Sequence, residues 1–109
     1  MNTIDRLEAT IAERRGAAPD SSYVARLLAG GAPLVARKLG EEAIEVVIAA
    51  LAEQDKLVSE SADLLFHLLV LLAERDLSFA DVAAELDRRE GVSGIVEKAS
   101  RPENVNGNA

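Results

Sequence analysis

The sequence predicts an all-α protein, a helical bundle built on a long antiparallel helix hairpin. Three observations carry that expectation. Apolar residues recur at three- and four-residue spacing through most of the 109 residues. The apolar residues are mainly Ala, Leu and Val, with only three prolines in the chain and few β-branched runs outside its middle. Glycine, proline and serine then fall in clusters between the periodic segments, where helices would stop and start.

Taken in order, Ile4, Leu7 and Ile11 form the apolar stripe of a first helix that ends near Gly16. Gly16 to Asp20, with Pro19, reads as a loop, and Ser21 or Ser22 suits the cap of a short second helix through Leu28. Gly30-Gly31 stops it, and Pro33 fits the first turn of a long third helix reaching about Glu53, with Gly40 its weak interior point. A turn near Gln54-Asp55 leads into a fourth helix from about Lys56 to Arg75. Its stretch 64–73 is apolar nearly all round, the mark of a helix covered on several sides. Ser78 and Asp81 resemble a capping box for a fifth helix ending near Arg89. The pattern fades after Gly91. One domain over residues 1–101 and a disordered tail over 102–109 are expected. The short link between the two long helices makes them antiparallel neighbours. The apolar stretch 64–73 needs cover from other helices or from a second subunit, and a homodimer is the preferred expectation.

Composition removes several classes of function. A net charge of -7 without a basic stripe argues against a nucleic-acid surface. The absence of cysteine excludes disulfides, thiolate catalysis and zinc–thiolate sites. Asp5, Arg6 and Glu8 interrupt any apolar run at the N-terminus, and 64–73 is too short to span a bilayer. A cytoplasmic protein is expected.

The chemistry lies in acids on the two long helices. Glu41-Glu42-Ala43-Ile44-Glu45 stands on one and Glu60-Ser61-Ala62-Asp63 on the other. Residues three or four apart share a helix face, so Glu42 pairs with Glu45 and Glu60 with Asp63. Glu42 and Asp63 are equidistant from the turn, as are Glu45 and Glu60. Folding the hairpin therefore sets four carboxylates at matched heights, on axes roughly 8–10 Å apart. Acids on one helix face are most often a solvated surface. Here both pairs are embedded in apolar sequence and coincide across the turn, which favours a divalent cation that relieves their repulsion. All-oxygen ligation without cysteine points to Mg²⁺, with Mn²⁺ a substitute. Such an ion would bridge an anionic substrate and help to generate an attacking hydroxide in an in-line displacement. Glu41 is a further acidic member of the group, in one of three roles: partner to a ligand, orienter of water, or surface residue.

The run Lys38-Leu39-Gly40-Glu41-Glu42-Ala43-Ile44-Glu45-Val46-Val47, followed by Glu60-Ser61-Ala62-Asp63-Leu64-Leu65-Phe66-His67, closely resembles the phosphoribosyl-ATP pyrophosphohydrolase family. That family lies within the MazG-like all-α nucleotide pyrophosphohydrolases, whose shared signature is E-E-x-x-E followed at a distance by E-x-x-D. The signature alone marks only the superfamily. Ser22-Tyr23 with Leu27-Leu28, the lysine before Gly-Glu-Glu, and Ser93-Gly94-Ile95 with Glu97-Lys98-Ala99 resemble the histidine-pathway branch. The resemblance spans roughly residues 4–101. It implies Mg²⁺-dependent hydrolysis of phosphoribosyl-ATP to phosphoribosyl-AMP and pyrophosphate. Carried over by position, Glu42, Glu45, Glu60 and Asp63 are the implied metal ligands and Glu41 an additional acidic member. Phe66 stands where tyrosine is common and Val24 where threonine often follows the tyrosine. The zinc cyclohydrolase region that some relatives carry is not found in this sequence.

Other residues are weighed beside these. His67, four residues after Asp63, would bond that carboxylate or contact substrate, although a lone histidine in an apolar helix is more often a satisfied core residue. Lys38 pairs with Glu41 or Glu42, or contacts a phosphate. Arg88, Arg89, Lys98 and Arg101 form a basic group suited to substrate phosphates or to plain solvation. Two rivals stand against this function: a house-cleaning pyrophosphatase of non-standard triphosphates, and a non-enzymatic helical adaptor that would not need metal.

Overall fold

The computed structural model describes residues 2–91, and within them every regular element is a helix: α1 (Thr3–Arg14), α2 (Tyr23–Ala29), α3 (Gly31–Ala52), α4 (Leu57–Glu74) and α5 (Phe79–Arg89). The expected fold class holds. The described residues up to Phe79 form one compact unit, and the described residues from Ala80 to Gly91 belong to a second. The expected tail over 102–109 lies outside the described residues.

Local chemistry sets most of the boundaries. Asn2 accepts from the Asp5 amide at 2.8 Å, while the Asp5 carboxylate accepts from the Asn2 amide, so α1 opens on a reciprocal capping box. Ser22, one of the two expected caps, accepts from the Ala25 amide and starts α2. α3 begins at Gly31, two residues before Pro33. Gly31 takes a φ of +76°, a conformation a Cβ would disfavour, and a Cβ on Gly30 would collide with the Leu34 side chain. The pair thus turns the chain directly from α2 into α3. The helix runs on through Gly40, where nothing lies within 4 Å of a notional Cβ.

A single 3-10 turn, Gln54–Lys56, joins α3 to α4, and the two long helices pack against one another as the main contact of the first unit. α4 ends in a Schellman arrangement: the Leu77 amide donates to the Leu72 carbonyl, the Asp76 amide to Ala73, and Asp76 itself sits at a φ of 60°. Arg15 secures this end, donating to the Ala73 carbonyl at 2.6 Å and pairing with the Asp76 carboxylate at 3.2 Å. The first amide of α5, that of Phe79, donates to Glu8 of α1 at 2.9 Å, a cap brought from 71 residues away.

The core gathers Ile11 of α1, Val24 and Leu27 of α2, Val35 of α3, and Leu69 and Val70 of α4. No residue in 64–73 is exposed, so the greasiest stretch of the sequence finds its cover within the chain. A run of uncovered apolar side chains lies nearer the α3–α4 turn, at Ile44, Val47, Ile48 and Leu51 of α3 and Val58 of α4. Leu69 is 1% exposed at the centre of the core. A Leu69→Ala substitution is expected to cost about 2–5 kcal/mol through lost contacts and the cavity left behind, read from denaturant unfolding. A cost under about 1 kcal/mol would mean that this core is loosely packed.

Candidate metal centre

The acids of the long helices are placed by helical geometry and by the turn between them. Glu42 of α3 and Glu60 and Asp63 of α4 each offer a carboxylate oxygen within 4.8 Å of the others. Glu42 and Glu60 are half-buried and Asp63 is exposed, so the group opens to solvent on one side. The three-residue step from Glu60 to Asp63 puts both on one face of α4, and the packing of α3 on α4 brings Glu42 to meet them.

Glu45 is exposed and falls outside that mutual set, although it is close enough to be the strongest like charge acting on Glu60. Glu60 is held above the ordinary carboxylate range, first by desolvation and then by repulsion from Glu45, Asp63 and Glu42; Lys56 opposes this. The Lys56 ammonium lies 2.8 Å from Glu53, and that hydrogen bond is the main reason its own pKa is raised. Lys56 is therefore shared rather than given over to the cluster. Glu41 turns to its own helix, 3.7 Å from Arg37 and 3.5 Å from Lys38. These pairs are well exposed and contribute roughly 0–1 kcal/mol each.

The donor set suits a hard cation. Three carboxylates converge on oxygen alone, and one of them resists its charge in the bare protein. A hard divalent cation would meet both conditions, whereas a thiolate- or imidazole-seeking metal finds no such ligand in the set.

His67 is 5% exposed, with both ring nitrogens engaged inside the chain. Its Nδ1 lies 2.7 Å from the backbone carbonyl of Asp63, which can only accept, so Nδ1 carries the proton. The neutral Nε2 then accepts from the Tyr23 hydroxyl at 2.8 Å. The bond goes to the Asp63 main chain rather than to its carboxylate, and His67 is a satisfied core residue. Tyr23 enters the sequence reading only through the Ser22-Tyr23 segment. Its link to His67 crosses 44 positions and has no local signature.

Arg88 and Arg89 belong to the second unit. There both bond Glu85, at 2.7 Å and 2.9 Å, and hold its pKa at about 2. With the folded value below the usual one, this favourable contribution is complete above the ordinary carboxylate range and fades as pH falls toward 2. Lys98 and Arg101, like the Ser93 and Glu97 segments, lie outside the described residues.

Fold and site together define an all-α protein with a cluster of carboxylates between two packed helices. Comparison with known proteins makes this specific. A family model described as phosphoribosyl-ATP pyrophosphohydrolase matches residues 4–90, and the chain belongs to that family. Among curated relatives named phosphoribosyl-ATP pyrophosphatase, the chain is 67% identical to that of Erythrobacter litoralis over 102 residues, covering 93% of this chain and 98% of the relative. It is 63% identical to that of Rhizorhabdus wittichii over 101 residues, 92% and 95% of the two chains. Against that of Dinoroseobacter shibae the identity is 60% over 102 residues, covering 93% and 100%.

Proposed function

We propose that this chain hydrolyses phosphoribosyl-ATP to phosphoribosyl-AMP and pyrophosphate, the second step of histidine biosynthesis, using Mg²⁺ held by Glu42, Glu60 and Asp63 with Glu45 beside them. One observation carries the reading: family membership over residues 4–90 coincides with a carboxylate cluster from two helices inside that same span. The reaction cleaves the α–β phosphoanhydride by in-line attack of water on phosphorus, with pyrophosphate as leaving group.

Bound Mg²⁺ supplies Lewis acidity and neutralises charge that develops on the phosphate oxygens. The protein's own residues do the rest. Glu42 and Glu60, half out of water, fix the ligand positions from opposite helices, and exposed Asp63 completes the set on the open side. Glu45 keeps the local field negative, so that a polyanion is admitted only together with its counter-cation. Glu41, next to Glu42 and tethered by Arg37 and Lys38, is the proposed orienter of water. Lys38, one turn before Glu42, exchanges Glu41 for a substrate phosphate when substrate enters.

We place the protein in the cytoplasm as a homodimer. No described helix is long and apolar enough to cross a membrane, and the exposed stripe on α3 is the surface a second copy would cover.

The direct test is pyrophosphate release from phosphoribosyl-ATP with Mg²⁺, repeated with excess chelator. Release that stops on chelation is the expected outcome. Folded, helical protein that releases none would overturn the reading. Faster turnover of modified nucleoside triphosphates than of phosphoribosyl-ATP would transfer it to a house-cleaning role.

A further inference from the structure

Three rings meet one turn beyond Asp63 along α4. Tyr23 of α2 stacks on Phe66 with centroids 6.1 Å apart and planes 20° apart; His67 meets Tyr23 edge-on at 5.8 Å and Phe66 at 5.1 Å. The Tyr23 hydroxyl already donates a hydrogen bond to buried His67, whose other nitrogen is spent on the Asp63 carbonyl. The polar end of the tyrosine thus works within the chain. The residue is not fully covered by these contacts: Tyr23 is 44% exposed. A half-exposed aromatic ring, fixed by a hydrogen bond at its tip and by a stacked neighbour, is an ordered π-face that loses little freedom on binding.

Its stacked neighbour on α4 stands close along that helix to the acids. Phe66, beneath Tyr23, lies three residues from Asp63 and six from Glu60, a rise of about 5 Å and about 9 Å along the helix. That is one to two turns, the scale of the ribose between a base and its 5′-phosphate. We propose that Tyr23 is a specificity-determining residue whose exposed ring stacks on the purine base of the substrate, with His67 and Phe66 as the positioning residues that hold it. The inference rests on the placement of the phosphates at Glu42, Glu60 and Asp63 made above. It also gives the His67 bond a purpose, since a freely rotating tyrosine would have to be ordered at each binding event.

The sequence supplies its own probe. Tyr23 is the only tyrosine and there is no tryptophan, so the intrinsic fluorescence of the full chain reports on this ring alone. With Mg²⁺ present, ATP is expected to quench that emission by more than about half, as a base stacked on the ring should. Inorganic tripolyphosphate, which carries phosphates and no base, is expected to leave it unchanged while displacing ATP. Equal responses to the two, or no quenching by ATP at concentrations that inhibit turnover, would overturn the stacking and leave the hydrolytic assignment standing.

Two variants separate the ring from its tether. Tyr23→Leu removes the π-face and should raise KM for phosphoribosyl-ATP roughly 5- to 100-fold, with kcat changed little. Tyr23→Phe keeps the face and loses only the bond to His67, and should raise KM far less. A Phe variant as impaired as the Leu variant would show that the hydroxyl bond matters and the ring face does not.

Discussion

Turnover by an Asp63→Asn variant is expected to fall roughly 10²–10³-fold, while its circular dichroism remains that of the parent protein. Asp63 is exposed and has no core contact to lose, so the amide should be accommodated without unfolding. What disappears is one of three charges that converge within 4.8 Å. Glu60→Gln should be equally inactive, yet melt at a higher temperature than the parent in the presence of chelator. The sign follows from its environment. A carboxyl whose folded pKa lies above its unfolded value is penalised when ionised in the folded state. The penalty is nil at acid pH, where both states are protonated, and grows as pH rises through the folded value. A neutral amide never incurs it. Mg²⁺ should raise the melting temperature of the parent at neutral pH and have little effect in acid, where protons occupy the site. The Gln variant should have lost much of that metal-induced shift. A Glu60→Gln protein that melts lower without metal would overturn the repulsion at Glu60, and Asp63→Asn turnover within a factor of three of the parent would remove the cluster from the reaction.

That cluster was legible because helices convert sequence spacing into position with little ambiguity. Glu60 and Asp63 share a face of α4 whatever surrounds them, and the short link after Ala52 returns α4 along α3. Glu42 falls beside them as symmetry about the turn requires. Glu45 stands outside the mutual set, yet it is the strongest like charge on Glu60, the residue that equal distance from the turn pairs with it. Contacts without local signatures were out of reach. The Glu8 carboxylate caps α5 across 71 positions, and Tyr23 reaches His67 across 44. The capping box of Asn2 and Asp5, by contrast, is written in adjacent residues and was overlooked beside the stronger apolar pattern. Hydrophobicity gave the amount of apolar surface in need of cover but misplaced the excess. The stretch 64–73 packs on the core that α1 and α2 share with the hairpin, whereas the apolar residues near the turn stay exposed.

A Leu51→Glu substitution is therefore expected to turn a dimer into a folded monomer. Ile44, Val47, Ile48 and Leu51 recur at the spacing of one helix face, and they are 60%, 55%, 43% and 84% exposed. Across the turn Val58 is 83% exposed. Scattered apolar residues on a surface need no explanation, but a continuous stripe over two turns does. Covering it would gain about 1.5–3 kcal/mol for each large side chain fully withdrawn from water. In a two-fold interface every such residue counts twice, and so does every introduced charge. One Glu per chain at position 51 places two carboxylates in an apolar seam and should weaken association by at least about 100-fold, or about 2.7 kcal/mol. Because Leu51 is almost fully exposed within its own chain, intrachain packing should survive. Sedimentation across a concentration series decides the matter: unchanged mass in parent and variant would leave the stripe bare, and association would have to be sought on another face.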